Sequence, residues 1–395
     1  MSQQPDFATL KARAEALIPA LRARAREAEE LRRIPDATIA DLHASGLFRM
    51  LQPERAGGSA LPFRALVELG AVVSQGCGST GWVLTNLASH HWMLGMWPKA
   101  AQDEVWGAGG SPDALIGSAF VFPGGRAAAA EGGYRLSGRW PFSSGIDACA
   151  WNLVGGVVRD ERGRPVEQRI FLVPAKDYRI VDTWFVTGLR GTGSKDVEMD
   201  ETFVPAHRTL TPAAIAGGPT PGSEVNPGAL YQLPALGLFA FVVAAVSLGL
   251  ARGAIADYRA QMRDRVGSYT GKRLADLAGV QLRLAEAAAL SDIAEALMLK
   301  DCDEATRVTA AGGAISTEDK ARWRRDGAYA AGMCTKAVEL IFTAIGGAAV
   351  YLHHPVQRAF RDAAAANAHY ALSWDVNGTL WGRAALGQPI DQPAL

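Results

Sequence analysis

From Leu233 to Ala251 the chain carries no charged side chain. A run of that length matches the roughly 20 residues that cross a bilayer. It also matches a helix sunk in the middle of a large bundle and apolar on every side. The run contains Pro234 near its start, then Gly237, Ser247 and Gly249, and passes into an amphipathic, Arg-rich continuation from Arg252 to Arg265. No other segment reads as a convincing second span, so the run is read as a buried bundle helix and no membrane is expected. Charge agrees: Lys+Arg and Asp+Glu are both 40 in 395 residues, which leaves no net field to attract nucleic acid or an acidic membrane surface. Cys77, Cys149, Cys302 and Cys334 form no CxxC pair. With no secretory signal at the N-terminus, they read as reduced, buried thiols of a cytoplasmic protein.

Three textures follow one another along the chain. Phe7 to Arg33 has Leu10, Ala14, Leu17, Ile18 and Leu21 at helical spacing. Pro35-Asp36 opens a second helix, and Phe63 to Val73, Gly78 to Trp97 and Pro98 to Trp106 continue the pattern. From Ser111, segments rich in Val, Ile, Phe and Tyr are cut by Gly, Pro and Asp about every ten residues, which predicts an antiparallel sandwich or barrel ending near Pro205. Ala213 to Gly228 is a Gly/Pro-rich linker or ordered crossover. Four long helical patterns follow: Leu230 to Val266, Leu274 to Ala311, Thr317 to Ile345 and Pro355 to Leu386. The expected fold class is therefore α+β, mainly α. It comprises a helical domain over 1–110, a β-domain over 111–212 and a four-helix bundle over 213–395.

The stretch Leu352 to Asp375, LHHPVQRAFRDAAAANAHYALSWD, narrows this further. Pro355 followed by Arg358, Arg361 and Asp362 resembles the last-helix signature of acyl-CoA dehydrogenases. In those enzymes a Tyr-Glu-Gly-Thr run comes next, and its Glu is often the base that deprotonates the acyl thioester. Here the chain reads Ala368-His369-Tyr370-Ala371-Leu372-Ser373, with no acid between Asp362 and Asp375. A dehydrogenase frame without its base, and with an imidazole nearby, resembles the oxygenase components of two-component flavin-dependent monooxygenases, the group D enzymes acting on p-hydroxyphenylacetate, a phenolic secosteroid or dibenzothiophene. The resemblance spans nearly the whole chain.

The resemblance implies a set of site residues. Ser143, or in second place Ser144, in the run Trp140-Pro141-Phe142-Ser143-Ser144-Gly145 would hydrogen-bond flavin N5, with Trp140 against the ring. The chemistry needs this, because a flavin that has reacted with oxygen at C4a decays to peroxide unless it is held in a dry, hydrogen-bonded site. His90, two residues before Trp92 on one helix, would reach the substrate hydroxyl, with His369 as a second catalytic imidazole. His91 points about 100° away from His90 and is read as structural or interfacial. Ser118, Trp92 and Tyr370 would line the substrate. Arg190 and Thr192, in the Gly188–Ser194 loop, would close over the flavin edge. Arg265, four residues before Tyr269, would reach the flavin phosphate of a neighbouring subunit.

Chemistry accounts for the histidines. A phenol has a pKa near 10 and its anion reacts far more readily with an electrophilic oxygen. An imidazole of ordinary pKa near 6.5 can accept or share that proton. For an indole or aromatic amine, His90 would instead orient the N–H or a carboxylate. No HExxH, Cys cluster, GxSxG or dinucleotide fingerprint is present, so no metal is expected. The resemblance implies reduced FMN or FAD from a separate NAD(P)H-dependent flavin reductase, O2 as co-substrate, an aromatic small molecule as substrate, and a homotetramer. Two alternatives stand beside this reading. One is an acyl-CoA dehydrogenase with a relocated base, for which Glu339 is the candidate. The other is a non-catalytic flavin-fold binding protein.

Overall fold

The structure is a computed structural model and describes residues 4–267 and 271–390. The uncharged run builds the helix around which the others pack. Helices α1 (Phe7–Leu31), α2 (Asp36–Ser45), α3 (Arg64–Ser74), α4 (Gly78–Leu94) and α5 (Lys99–Trp106) precede the sheet. After the sheet come α6 (Phe239–Asp264), α7 (Ala278–Ala310), α8 (Thr317–Ile345), α9 (Pro355–Asn367) and α10 (Trp374–Ala385). From Ala240 to Ala251 every residue of α6 is buried, and α6 packs against α3, α4, α7, α8 and α9. Each fully buried Val, Leu or Phe there contributes roughly 1.5–3 kcal/mol relative to exposure. Gly249 allows the closest approach, since a Cβ there would stand 2.3 Å from the Ala71 carbonyl oxygen of α3. Among the described residues Thr317–Val350 is also long and apolar enough to cross a membrane, so α6 is not alone in this. In α6, 83% of the most apolar window is buried by protein, against 39% in Thr317–Val350.

Two expectations need correction. The strands are β1 (Ile116–Ala119), β2 (Gly125–Ala130), β3 (Gly133–Ser143), β4 (Trp151–Arg159), β5 (Pro165–Pro174), β6 (Arg179–Val181), β7 (Lys195–Pro205) and β8 (Thr209–Leu210). They form one mixed sheet in the order β6-β7-β3-β2-β4-β5-β8, with β1 beside β4. The β1–β4 and β2–β4 pairings are parallel and the rest antiparallel. Alternation along a strand reports which face is buried, not the direction of its neighbour. The last helical pattern, Pro355 to Leu386, is two helices. A turn at Tyr370–Leu372 separates α9 from α10. Asn377, fully buried, holds that break by donating to the carbonyls of Ala371 (3.2 Å) and Ser373 (2.8 Å) while accepting from Arg324 Nε at 3.1 Å. The 213–228 stretch is an ordered crossover, tied down by Gly222 N to the Met96 carbonyl and by Asn226 to the Gly95 carbonyl. All four cysteines are free and buried.

Candidate active site at the sheet and bundle junction

Every residue of α4 is buried, so the polar groups on it must find partners or stay unsatisfied. His90 Nδ1 lies 2.7 Å from the Ile116 carbonyl oxygen of β1. A carbonyl has no proton to give, so Nδ1 carries the hydrogen and Nε2 carries a lone pair. That Nε2 is buried and has no partner. Burial lowers the His90 pKa to about 4, against the opposing effect of the Ile116 bond. His90 is thus a neutral imidazole presenting one acceptor.

His369 has the opposite polarity. It caps the Tyr370–Leu372 turn, and its Nδ1 accepts from Ala371 N–H at 3.1 Å. The proton of the neutral ring therefore sits on Nε2, which presents a donor. Burial lowers its pKa to about 4 as well. The two histidines belong to one array of aromatic rings. His90 meets Phe120 edge-on at 6.3 Å, Phe120 meets Phe239 at 6.4 Å, Phe239 meets His369 at 6.1 Å, and His369 meets Trp82 at 5.5 Å. Segments from α4, β1, the start of α6 and the α9–α10 break converge there.

Trp82 continues the array into polar contacts. Its indole N–H donates to Ser144 Oγ at 3.0 Å; Ser144 Oγ lies 2.7 Å from Ser194 Oγ, and Ser194 Oγ lies 2.7 Å from Thr192 Oγ1. A register shift between Trp140 and Ser143, with Phe142 at φ +68°, turns consecutive serines to different sides. Ser143 is fully buried and donates into the sheet, to Asn152 Oδ1 at 3.1 Å, whereas half-buried Ser144 joins the hydroxyl chain. Of the two serines, Ser144 is the one whose hydroxyl lies on the ring-array side of the sheet.

The 187–194 loop is held by the Arg-Asp signature of α9. Arg361 donates to the Thr187 carbonyl at 2.7 Å and pairs with Glu29 of α1 at 2.7 Å, and Arg358 reaches the same Glu29 at 2.9 Å. Burial opposes the Glu29 charge, but the two guanidiniums overcome it and hold its carboxyl below the usual range. Asp362 is buried and accepts Leu189 N–H at 2.6 Å. Burial pushes its pKa up to about 6, against the lowering effect of that N–H. Gly188 is packed so tightly on α9 that a Cβ would meet the Arg361 carbonyl oxygen at 2.1 Å.

Other expected site residues lie elsewhere. Trp92 is two residues beyond His90, about 200° round the helix. Its ring is fully buried against Phe63 at 4.7 Å and its N–H is taken by the Leu230 carbonyl at 2.7 Å, so it packs in the core on the side away from His90. Trp140 fills the sheet interior, donating to the Gly155 carbonyl at 2.5 Å, and its ring is fully buried. Ser118 is buried on β1, two residues from Ile116. Tyr370 is exposed in the turn that follows His369. Thr192 is buried and Arg190, beside it, is exposed. Arg265 is exposed at the end of α6, and Tyr269, named with it, lies outside the described residues. His91 is buried with both nitrogens unpartnered, stacked on Trp106 at 5.9 Å. Glu339 is exposed and paired with Lys336 at 3.1 Å, in a groove with Tyr258 and Arg283 that shares no residue with the ring array. Trp82, Phe239 and Asn377 lie outside every motif the sequence offers. The one signal that could have flagged Ser194 is its place in the Gly188–Ser194 loop.

Residues 241–374 match the family model described as acyl-CoA dehydrogenase, C-terminal domain. The chain is 38% identical to the oxygenase component of the FADH(2)-dependent resorcinol hydroxylase of Rhizobium sp. strain MTP-10005, covering 98% of this chain and 96% of that protein. It is 36% identical to the oxygenase subunit HsaA of Rhodococcus jostii, covering 96% and 98%. Among solved structures, the 3-HSA hydroxylase of Rhodococcus sp. RHA1 superposes with a TM-score of 0.94 at 34% identity, covering 99% and 100%. XiaF of Streptomyces sp., solved with FADH2 and glycerol, superposes with a TM-score of 0.91 at 29% identity, covering 98% of each chain. The acyl-CoA dehydrogenase frame, the missing thioester base and these relatives agree, and the chain belongs to the family of flavin-dependent monooxygenase oxygenase components.

Proposed function

We propose that this chain is the oxygenase component of a two-component monooxygenase that hydroxylates an aromatic substrate bearing an O–H or N–H, a phenol or an indole. Reduced FMN or FAD, supplied by a separate NAD(P)H-dependent reductase, is its cofactor. The observation that carries the reading is the ring-lined site with two neutral imidazoles of opposite polarity, the acceptor at His90 Nε2 and the donor at His369 Nε2. A buried acceptor without a partner costs about 1–3 kcal/mol, and a substrate O–H or N–H would relieve that cost. Ser118 and Tyr370 lie close in sequence to the groups that orient these imidazoles and border the substrate in this reading.

The residues present also suit a flavin. Ser144 retains acceptor capacity beside the ring array, Thr192 and Ser194 back it, and Arg190 is free to meet an anionic group. The chemistry supplied by bound reduced flavin is activation of O2 and electrophilic delivery of one oxygen atom. His90 accepts the substrate's hydrogen bond and draws electron density onto the ring as attack proceeds. His369 donates from the other end, and the aromatic walls exclude water. The chain works as a cytoplasmic homotetramer in which Arg265 reaches the flavin phosphate of a neighbour. Exposed Leu282 and Ile293 on α7 support an assembly face. The residue ranges 1–110, 111–212 and 213–395 are its three structural units.

The test is oxygen-dependent turnover with reduced FMN and FADH2 against a panel of phenols, indoles and thiophenes, with products read by mass. One added oxygen atom on a phenol or indole is expected. Tight retention of oxidised FAD with dye reduction by an acyl-CoA thioester would restore the dehydrogenase reading. Full retention of turnover in folded His90→Ala and Ser144→Ala variants would remove these residues from the site.

A further inference from the structure

The hydroxyls of Thr192, Ser194 and Ser144 form a line whose two ends have no choice of role. At one end the Leu189 carbonyl, 3.0 Å from Thr192 Oγ1, can only accept. Were the Thr192 proton turned elsewhere, two oxygens would face each other at that distance with no hydrogen between them. Thr192 therefore donates to Leu189. Its oxygen must then accept from Ser194 at 2.7 Å, and Ser194 in turn accepts from Ser144 at 2.7 Å. At the other end the Trp82 N–H can only donate, and it does so to Ser144 Oγ at 3.0 Å. The order Trp82 to Ser144 to Ser194 to Thr192 to Leu189 is the only one that satisfies every contact. Asp362 fixes its terminus by holding Leu189 N–H at 2.6 Å, with Leu189 in the left-handed region at φ +52°. Thr192 and Ser194 are both buried, so water does not compete for their protons.

Ser144 has thus committed its single proton inward and one lone pair to Trp82. What it has left is a lone pair, an acceptor. Flavin N5 is a bare acceptor when the ring is oxidised and carries a hydrogen when the ring is reduced. We propose that Thr192 and Ser194 are positioning residues that preset Ser144 as an acceptor, so that the site selects reduced over oxidised flavin. This rests on the reading that Ser144 faces N5. It gives a structural reason for a two-component enzyme to release spent flavin and take fresh reduced flavin from a partner.

The experiment measures dissociation constants of oxidised FMN and FAD in air and of the dithionite-reduced flavins under anaerobic conditions. The proteins are the full-length wild type, Ser194→Ala, Thr192→Val, Thr192→Ser and Ser144→Ala. Removing Ser194 frees the Ser144 proton to point at oxidised N5. Removing the Thr192 oxygen lets Ser194 reverse and turn Ser144 outward, two hydroxyls away. In both variants the ratio of oxidised to reduced dissociation constants is expected to fall about tenfold, the size of one hydrogen bond gained on one side and lost on the other. Thr192→Ser, which keeps the line, retains the wild-type ratio. A purely structural role would weaken both redox forms together and leave the ratio unchanged. If Ser144→Ala changes the ratio while Ser194→Ala and Thr192→Val do not, the presetting is wrong and Ser144 still faces N5. If Ser144→Ala leaves the ratio unchanged as well, the placement of Ser144 fails with it.

Discussion

Replacing His90 tests how the proton of a phenolic substrate is handled. Burial holds His90 near pKa 4, and an ordinary phenol lies near 10. Complete proton transfer before reaction would span about six pH units, or about 8 kcal/mol at 1.36 kcal/mol per unit. A turnover of about 10 per second corresponds to a total barrier of about 16 kcal/mol. Half of that barrier would go into making a free phenolate, so a separate deprotonation step is the wrong mechanism for this site. His90 instead accepts a hydrogen bond that strengthens as attack on the ring makes the hydroxyl more acidic. A hydrogen bond to a group developing charge is worth about 1.5–3 kcal/mol, so His90→Ala and His90→Gln are expected to lose about 10- to 100-fold in kcat. The wild-type profile of kcat against pH should be flat from about pH 5 to 8, with an acid limb only near 4, where His90 gains a proton and loses its acceptor. Steady-state kinetics with a saturating phenol, backed by thermal melts to show folding, measure both. A wild-type limb near pH 6.5 that vanishes in His90→Gln would refute the argument, because it would show an imidazole of ordinary basicity.

The other expectations concern neighbouring residues. His91 is buried with neither nitrogen bonded, and burial lowers its pKa to about 3. The stability gained from its neutral form is present above about pH 6.5 and drains away as pH falls, so His91→Phe, which cannot charge, should lessen acid unfolding between pH 6 and 4 with turnover kept. The Asp362 carboxyl is raised from 3.8 to about 6, so the protein loses stability as pH rises through 6. Asp362→Asn keeps an acceptor for Leu189 and should be more stable by up to about 3 kcal/mol in urea melts above pH 7 and no different below about pH 4. Trp92→Phe strands the Leu230 carbonyl and should cost about 1–3 kcal/mol of stability with KM unchanged; a tenfold rise in KM would put Trp92 back beside the substrate.

The limits of reading this site from sequence follow from what each signal encodes. The Arg361-Asp362 pair and the two histidines stand out in the sequence because each sits in a short local motif. The inward facing of Trp92 and Trp140 is not legible, because proximity in sequence says nothing about facing. Two residues along a helix reach the far side, and the shift between Trp140 and Ser143 breaks the alternation by which a strand is read. The α9–α10 break was invisible because apolar spacing runs on through it, while Asn377, which holds it, is a single polar residue with no period. The hydroxyl line draws on α4, the turn after β3 and the loop before β7, and no linear pattern joins Trp82, Ser144 and Ser194. The histidines make the point most sharply. His90 and His369 are the same residue type, both neutral and both held near pKa 4 by burial. One presents a lone pair and the other a proton only because Nδ1 meets a carbonyl in the first and a backbone N–H in the second. That assignment depends on which backbone group the fold brings within hydrogen-bond distance, and so the chemical role of each imidazole is a property of the tertiary structure rather than of the residue.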